Sequence, residues 1–157
     1  QSLKINSPVF VRLDRKIGKN LKINTDINDI LRGYRFLKKN KSSKTLIIGQ
    51  GTILERSIEV YDQLAIKEKK NVDIIDLIRA KPFPLSLRKI IRKYKKIITI
   101  DEQTPQGSLG SLIKENIDKP NKIISLSLSD KFIFENIGRE KLLDKYGLSR
   151  GNIKNCI

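Results

Sequence analysis

Histidine, methionine and tryptophan are all missing from the chain of 157 residues, and cysteine occurs once, as Cys156. Without histidine there is no imidazole to act as a general base or as the commonest metal ligand, and one thiol cannot form a disulfide framework or a Cys/His zinc site. Cys156 reads as an incidental surface residue, since nothing here can activate it as a histidine would. The sequence has no apolar run of membrane-spanning length and no signal-peptide pattern. With no cysteine pair either, a reducing, cytoplasmic setting is the expectation. The missing methionine has another meaning. Translation starts with one, so the sequence is expected to be a processed product or, the reading we favour, a piece cut from something longer.

Positive charge is what the chain has in excess: 33 Lys and Arg face 17 Asp and Glu, for a formal net charge of +16. Such an excess raises the question of a nucleic-acid partner, because clustered cations displace counterions from phosphates. The basic residues are spread through Lys38 to Lys44, Lys67 to Lys70 and Arg88 to Lys96, interleaved with Ile and Asn. Aromatic residues, 6% of the chain, do not punctuate these runs as single-strand stacking platforms would. The charge therefore reads as solvated faces, with neither nucleic acid nor membrane as the expected partner.

The organising stretch is Thr45-Leu46-Ile47-Ile48 running into Gly49-Gln50-Gly51. An apolar run without alternation that ends in a Gly-x-Gly turn predicts a strand buried on both faces and feeding a helix. Thr52 followed by Glu55 predicts a capping box, and Leu54, Ile58, Tyr61 and Ala65, widened by Ile53 and Leu64, predict the face that the helix lays on a sheet. Asn71 to Asp76 and Lys96 to Glu102 predict two more buried strands, and the length between the first two suits a parallel βαβ crossover. Gly33 to Leu37 and Lys122 to Leu128 read as edge strands. Helices are expected over 85–94, with Leu87, Ile90, Ile91 and Tyr94 inward, and from Leu109 through Ile117. A polar pair follows at 139–146 and 149–155, with Gly147 ending the first of these. Pro82 and Pro84 make 79–84 a rigid connector. At the start, Ser7 to Arg12 reads as a strand and 16–29 as a linker.

Three places invite chemistry. Arg12 and Arg15, just beyond the first strand, can form an anion clamp, or Asp14 can pair with one of them at the surface. Asp101 and Glu102 end a buried strand, where open α/β sheets place their sites, and suggest acid/base or magnesium chemistry. Adjacent residues on an extended segment point to opposite sides, however, which favours structural roles. Gly49-Gln50-Gly51, with Asp73 or Asp76 beyond, suggests a dinucleotide fingerprint, but Leu54 stands where its third glycine belongs, and a tight turn explains both glycines.

In order, these motifs resemble the C-terminal part of transketolase-like, thiamine-diphosphate-dependent enzymes, the group of transketolase, 1-deoxy-D-xylulose-5-phosphate synthase and the 2-oxo-acid dehydrogenase β subunits. Pro8-Val9-Phe10-Val11-Arg12-Leu13-Asp14-Arg15 resembles the closing strand of their pyrimidine-binding domain. Leu46 to Thr52 resembles the opening strand and turn of their C-terminal domain, and Val72 through Lys81-Pro82 its next strand and connector. Ile98 to Glu102, continuing to Gln106-Gly107-Ser108-Leu109-Gly110-Ser111, resembles the acidic strand end and glycine turn. Tyr146-Gly147-Leu148-Ser149 resembles the tail. Ser7 and Ser108 stand where that pattern has glycine.

The resemblance implies a three-layer α/β/α sandwich with a mixed, mostly parallel five-stranded sheet. It divides the chain into 1–32, trailing strand and linker of a preceding domain, and 33–157, the C-terminal domain. It also implies a structural and dimer-interface role, as a homodimer or against N-terminal partner domains, in a parent that moves two-carbon units between sugar or keto-acid phosphates. Thiamine diphosphate and magnesium would be held by the parent's other domains, and none by this fragment, which would be inactive alone. Of the family's substrate contacts it carries over Arg15, as a phosphate ligand, with Arg12 a weaker second. The alternatives are a 2-oxo-acid dehydrogenase β-subunit domain and a basic nucleic-acid or anion-binding module.

Overall fold

The computed structural model describes residues 6–14, 26–117 and 122–157. Five strands form one sheet: β1 (Tyr34–Lys38), β2 (Thr45–Gly49), β3 (Val72–Leu77), β4 (Lys96–Ile100) and β5 (Lys122–Leu126). Their spatial order is β1-β3-β2-β4-β5, with β1 antiparallel to β3 and every other pairing parallel. The expected edges, β1 and β5, are the edges, and one strand runs against the rest. The unalternating runs are explained by burial on both faces. Ile47, Val72, Ile74, Ile98 and Ile100 pack on one side, and Leu46, Ile48, Ile75, Leu77 and Ile97 on the other.

On the first side lie α2 (Leu54–Gln63), α6 (Arg139–Lys145) and α7 (Arg150–Cys156). They contribute Leu54, Val60, Leu143 and Ile153, joined by Leu148 from the loop between the last two helices. On the second lie α4 (Leu85–Ile91) and α5 (Leu109–Glu115), with Leu87, Ile91, Tyr94, Leu109 and Ile113. The three-layer sandwich is thus as expected, but the last two helices are not the polar pair that their sequence suggested. Each supplies one fully apolar anchor to the core.

Some local expectations change. Residues 8–14 form no strand, and Phe10 is 91% exposed. A strand needs a neighbour for its N–H and C=O groups, and none lies beside this segment among the described residues. Within the stretch read as linker, α1 (Ile27–Arg32) forms, capped by Asp26 accepting from the Asn28 N–H at 3.0 Å. After α2, Ala65 is exposed rather than inward, because the helix stops at Gln63 and a one-turn α3 (Ile66–Lys69) follows. No helix among the described residues is long and apolar enough to cross a membrane.

One buried carboxylate ties the amino ends of the strands together. On β3, Asp73 accepts from Tyr94 Oη at 2.6 Å, Ser43 Oγ at 2.6 Å and the Asn40 N–H at 2.8 Å. Burial of the ring, followed by these contacts with Asp73, drives the Tyr94 pKa up. At the surface, the segment before α6 is clamped by Glu135, which accepts from Lys145 Nζ at 2.6 Å and from Tyr146 Oη at 2.7 and 2.8 Å. Those two donors pull its pKa from 4.5 to about 2. Since the folded value is the lower, the clamp's contribution is complete above 4.5 and disappears as pH falls through about 2. A carboxyl NMR titration should therefore place Glu135 near pH 2. A midpoint at 4.5 would show the clamp absent in solution.

Candidate functional site at the carboxyl ends of the strands

Beyond β2 and β4 the chain turns abruptly, and the polar groups it leaves there meet the leading segment. Asp14 accepts from the Thr52 hydroxyl at 2.5 Å and from the Thr52 N–H, which together hold its carboxyl below the usual range. Arg139, at the start of α6, donates to Thr52 Oγ1 at 2.9 Å and to Glu102 Oε2 at 3.0 Å, and its second guanidinium branch meets Glu102 Oε1. With the Gln103 amide turned so that its oxygen faces Arg12, that oxygen accepts from both terminal guanidinium nitrogens at 2.8 and 3.1 Å. Asp101 is buried and takes the Leu109 N–H at 2.7 Å. Burial raises its pKa, against the pull of the Leu109 N–H and of Arg12.

Asp101 and Glu102, just beyond the end of β4, face different partners. The first fixes the turn into α5, and the second holds α6. They do not form a working acid/base pair. Arg12 sits at this rim, while Arg15 lies outside the described residues. The Thr52–Glu55 capping box does not form, because the chain first makes a 3-10 turn, Gly51–Ile53, and α2 then begins with no side-chain cap. Asp14 supplies an acceptor to that turn from a distant part of the sequence.

The Gly-x-Gly turn offers no cradle for a diphosphate. A Cβ at Gly49 would come within 2.7 Å of Leu54 Cδ2 and 2.9 Å of Ile100 Cγ2, so the chain's own core fills that space. Gly51 has φ +70°, and the nearest atom to a Cβ there would be Asp14 Oδ2, an anion already occupying the turn. No group of three or more His, Cys, Asp or Glu converges among the described residues to hold a metal. Among the described residues, the Gly-x-Gly turn therefore does not fit a dinucleotide's diphosphate.

Next to Thr52 is a cleft of about 210 Å³ lined also by Ile53, Glu55, Arg56, Glu59, Arg139, Glu140 and Arg150. Its three arginines already hold carboxylates: Arg56 pairs with Glu140 and Asp144, Arg139 with Glu102, and Arg150 with Glu59 at 2.5 Å. An incoming anion would have to break one of these pairs. Sequence reasoning missed both Arg56 and Arg139. Arg139 carried a legible signal, since a cation in the first turn of a helix opposes the macrodipole and implies a carboxylate from elsewhere.

Residues 35–153 match the family model described as "Transketolase, C-terminal domain". The 1-deoxy-D-xylulose-5-phosphate synthase of Thermotoga maritima is 25% identical over 150 residues, covering 92% of this chain and 23% of that protein. Its namesake from Francisella tularensis subsp. novicida is 34% identical over 144 residues, covering 88% of this chain and 22% of that protein. Among solved structures, a split-gene transketolase described as an inactive β4 tetramer superposes with TM-score 0.67 at 23% identity, covering 80% of this chain and 41% of its own. The chain thus spans less than a quarter of the length of these two curated relatives. On the family match over residues 35–153, and with the sheet order and layers just described, the chain belongs to the transketolase C-terminal domain family.

Proposed function

We propose that this chain is the C-terminal structural and interface domain of a transketolase-type enzyme. The parent would transfer or condense two-carbon units on sugar or keto-acid phosphates. Residues 1–32 would be the trailing segment of the preceding domain, and 33–157 the domain itself. The observation that carries this reading is the use of the polar rim. Asp101, Glu102, Thr52 and Arg139, at the strand ends where an α/β domain would place its catalytic groups, all hold the domain's own turns and helices. Apolar side chains exposed nearby in sequence, among them Phe10, Leu13, Phe132 and Phe134, supply surface for a neighbouring domain or second copy.

The cofactor, on this reading, is bound by the parent's other domains, where thiamine diphosphate would supply the carbanion and magnesium would hold its diphosphate. Arg15, with Arg12 second, would reach the phosphate of the substrate, for which a guanidinium offers paired donors. Asp14, whose carboxylate Thr52 holds against the domain, offsets part of the Arg12 charge. The test is to assay the chain with thiamine diphosphate, magnesium and a ketose-phosphate donor with an aldose-phosphate acceptor. No ketol transfer above the blank is expected. Turnover by the isolated chain would overturn the reading.

A further inference from the structure

Dispersal along the chain is not dispersal in space. The basic runs at 38–44, 66–71 and 92–96 each precede a parallel strand, so the fold delivers all three to the amino end of the sheet. Backbone hydrogen bonds join them directly. The Lys44 N–H donates to Asn71 O at 3.2 Å, and the Lys95 N–H to Lys44 O at 2.8 Å. Lys41, Lys44, Lys67, Lys70, Lys93 and Lys95 are all exposed there. Neighbouring strands stand about 4.8 Å apart, so loops on adjacent strands bring their charges within about one Debye length at physiological salt.

Local carboxylates do not neutralise the six. Asp62 pairs with Lys38 at 3.0 Å, outside the six; Asp73 is buried beneath Tyr94, Asn40 and Ser43; and Glu68, which accepts from the Ala65 N–H at 2.8 Å and keeps its charge, is one exposed carboxylate against six lysines. This end of the sheet is therefore a concentrated cationic face, on the opposite side of the domain from the balanced rim at the carboxyl ends.

We propose that this face binds the phosphate backbone of duplex nucleic acid without reading its sequence. Single strands are disfavoured because the rings at hand are already covered: Lys38 and Lys69 lie over Tyr61 at 4.9 and 5.9 Å, and Lys39 over Phe36 at 4.8 Å. A lipid surface is disfavoured because Ile66 is the one large apolar side chain exposed on these loops among the described residues. What remains is point charge on a broad end, which suits a row of phosphates. This binding goes beyond the role proposed above and leaves the carboxyl rim free.

The experiment measures binding of the full chain to a fluorescent duplex of arbitrary sequence by anisotropy across salt. If about six phosphates are met, log K should fall with log salt at a slope near −5, a loss of about a thousandfold between 50 and 200 mM. Combining Lys41→Gln, Lys44→Gln, Lys70→Gln and Lys95→Gln should reduce the slope to about −2, since each phosphate contact contributes about −0.9. The control combines Lys81→Gln, Lys131→Gln, Lys141→Gln and Lys145→Gln, which removes the same charge from exposed sites away from this end of the sheet and should bind like the parent chain. Both variants change exposed side chains, and matching thermal melts would confirm that they fold. Equal weakening in both would mean bulk charge and overturn the proposal. So would no binding at 50 mM salt, or tighter binding to phosphatidylserine vesicles than to the duplex.

Discussion

Gly110→Ala is expected to destabilise the domain by about 2 kcal/mol, although alanine is the better helix former by up to about 1 kcal/mol. The sign is decided by space. Gly110 lies in the first turn of α5, and a Cβ built there falls 2.1 Å from Ser125 Oγ, 2.8 Å from Ser125 Cβ and 3.0 Å from Thr99 Oγ1. Rotating the serine hydroxyl away relieves only the first of these contacts. The second is with Cβ itself, fixed by strand β5, so the helix must lift from the sheet or the edge strand must shift. Thr99 and Ser125 are register partners on β4 and β5, and both hydroxyls are buried without a partner among the described residues. The slot is therefore shaped for small groups rather than held by hydrogen bonds. Urea unfolding should show the midpoint falling by about 1 M, at a slope of about 2 kcal/mol per M. Adding Ser125→Gly removes the opposing Cβ, and the double variant should recover at least half of the loss even though glycine weakens a strand. A stabilised Gly110→Ala would show that helix and sheet do not approach this closely.

That contact illustrates what was legible in the sequence and what was not. The glycines and serines between Gly107 and Ser111 make the helix start legible: Ser108 caps it, accepting from the Ser111 N–H at 3.2 Å, and Gly110 leaves room for the sheet. The buried strands were legible as well: Thr45 to Ile48, Val72 to Ile75 and Ile97 to Ile100 leave no polar face, and only a sheet covered on both sides accommodates that. The rim was harder to read. Asp14 and Thr52 are 38 residues apart, and Thr52 and Arg139 are 87 apart. No period or spacing encodes such a pairing, so the spacing of Thr52 and Glu55 suggests a local capping box where the hydroxyl serves a distant carboxylate. The apolar anchors of α6 and α7 were hidden for another reason. Leu143, Leu148 and Ile153 are few among many charges, and a single buried residue per helix makes no stripe. The grouping of the basic runs was hidden for a third reason, since a linear reading counts separation along the chain while the parallel sheet aligns the starts of its strands.

Arg56 gives the second large effect, and its size depends on which partners are deprived. The side chain is 3% exposed and reaches from α2 to the last two helices. It donates to Asp144 Oδ1 at 2.5 Å, Leu148 O at 2.8 Å, Glu140 O at 3.0 Å and Glu140 Oε2 at 2.7 Å. Removing it strands these groups unequally. The Glu140 and Asp144 side chains are 48% and 52% exposed, so their carboxylates can turn back to water, and losing those pairs alone costs little. The Leu148 carbonyl lies outside both helices and is fixed by the backbone, so losing this donor costs about 1–3 kcal/mol, whereas the Glu140 carbonyl stays within α6. Arg56→Met, which keeps most of the apolar stem, is therefore expected to lose about 2 kcal/mol in urea unfolding, with the loss changing little in high salt. Amide exchange should quicken first in α7, whose attachment beside Leu148 depends on this link. Arg56→Lys separates charge from geometry. It restores the cation, but a single ammonium has three donors at one point and cannot span both carbonyls and both carboxylates. It should recover less than half of the lost stability. Full recovery by lysine would mean that charge alone holds the helices, and the carbonyl contacts would then carry no weight.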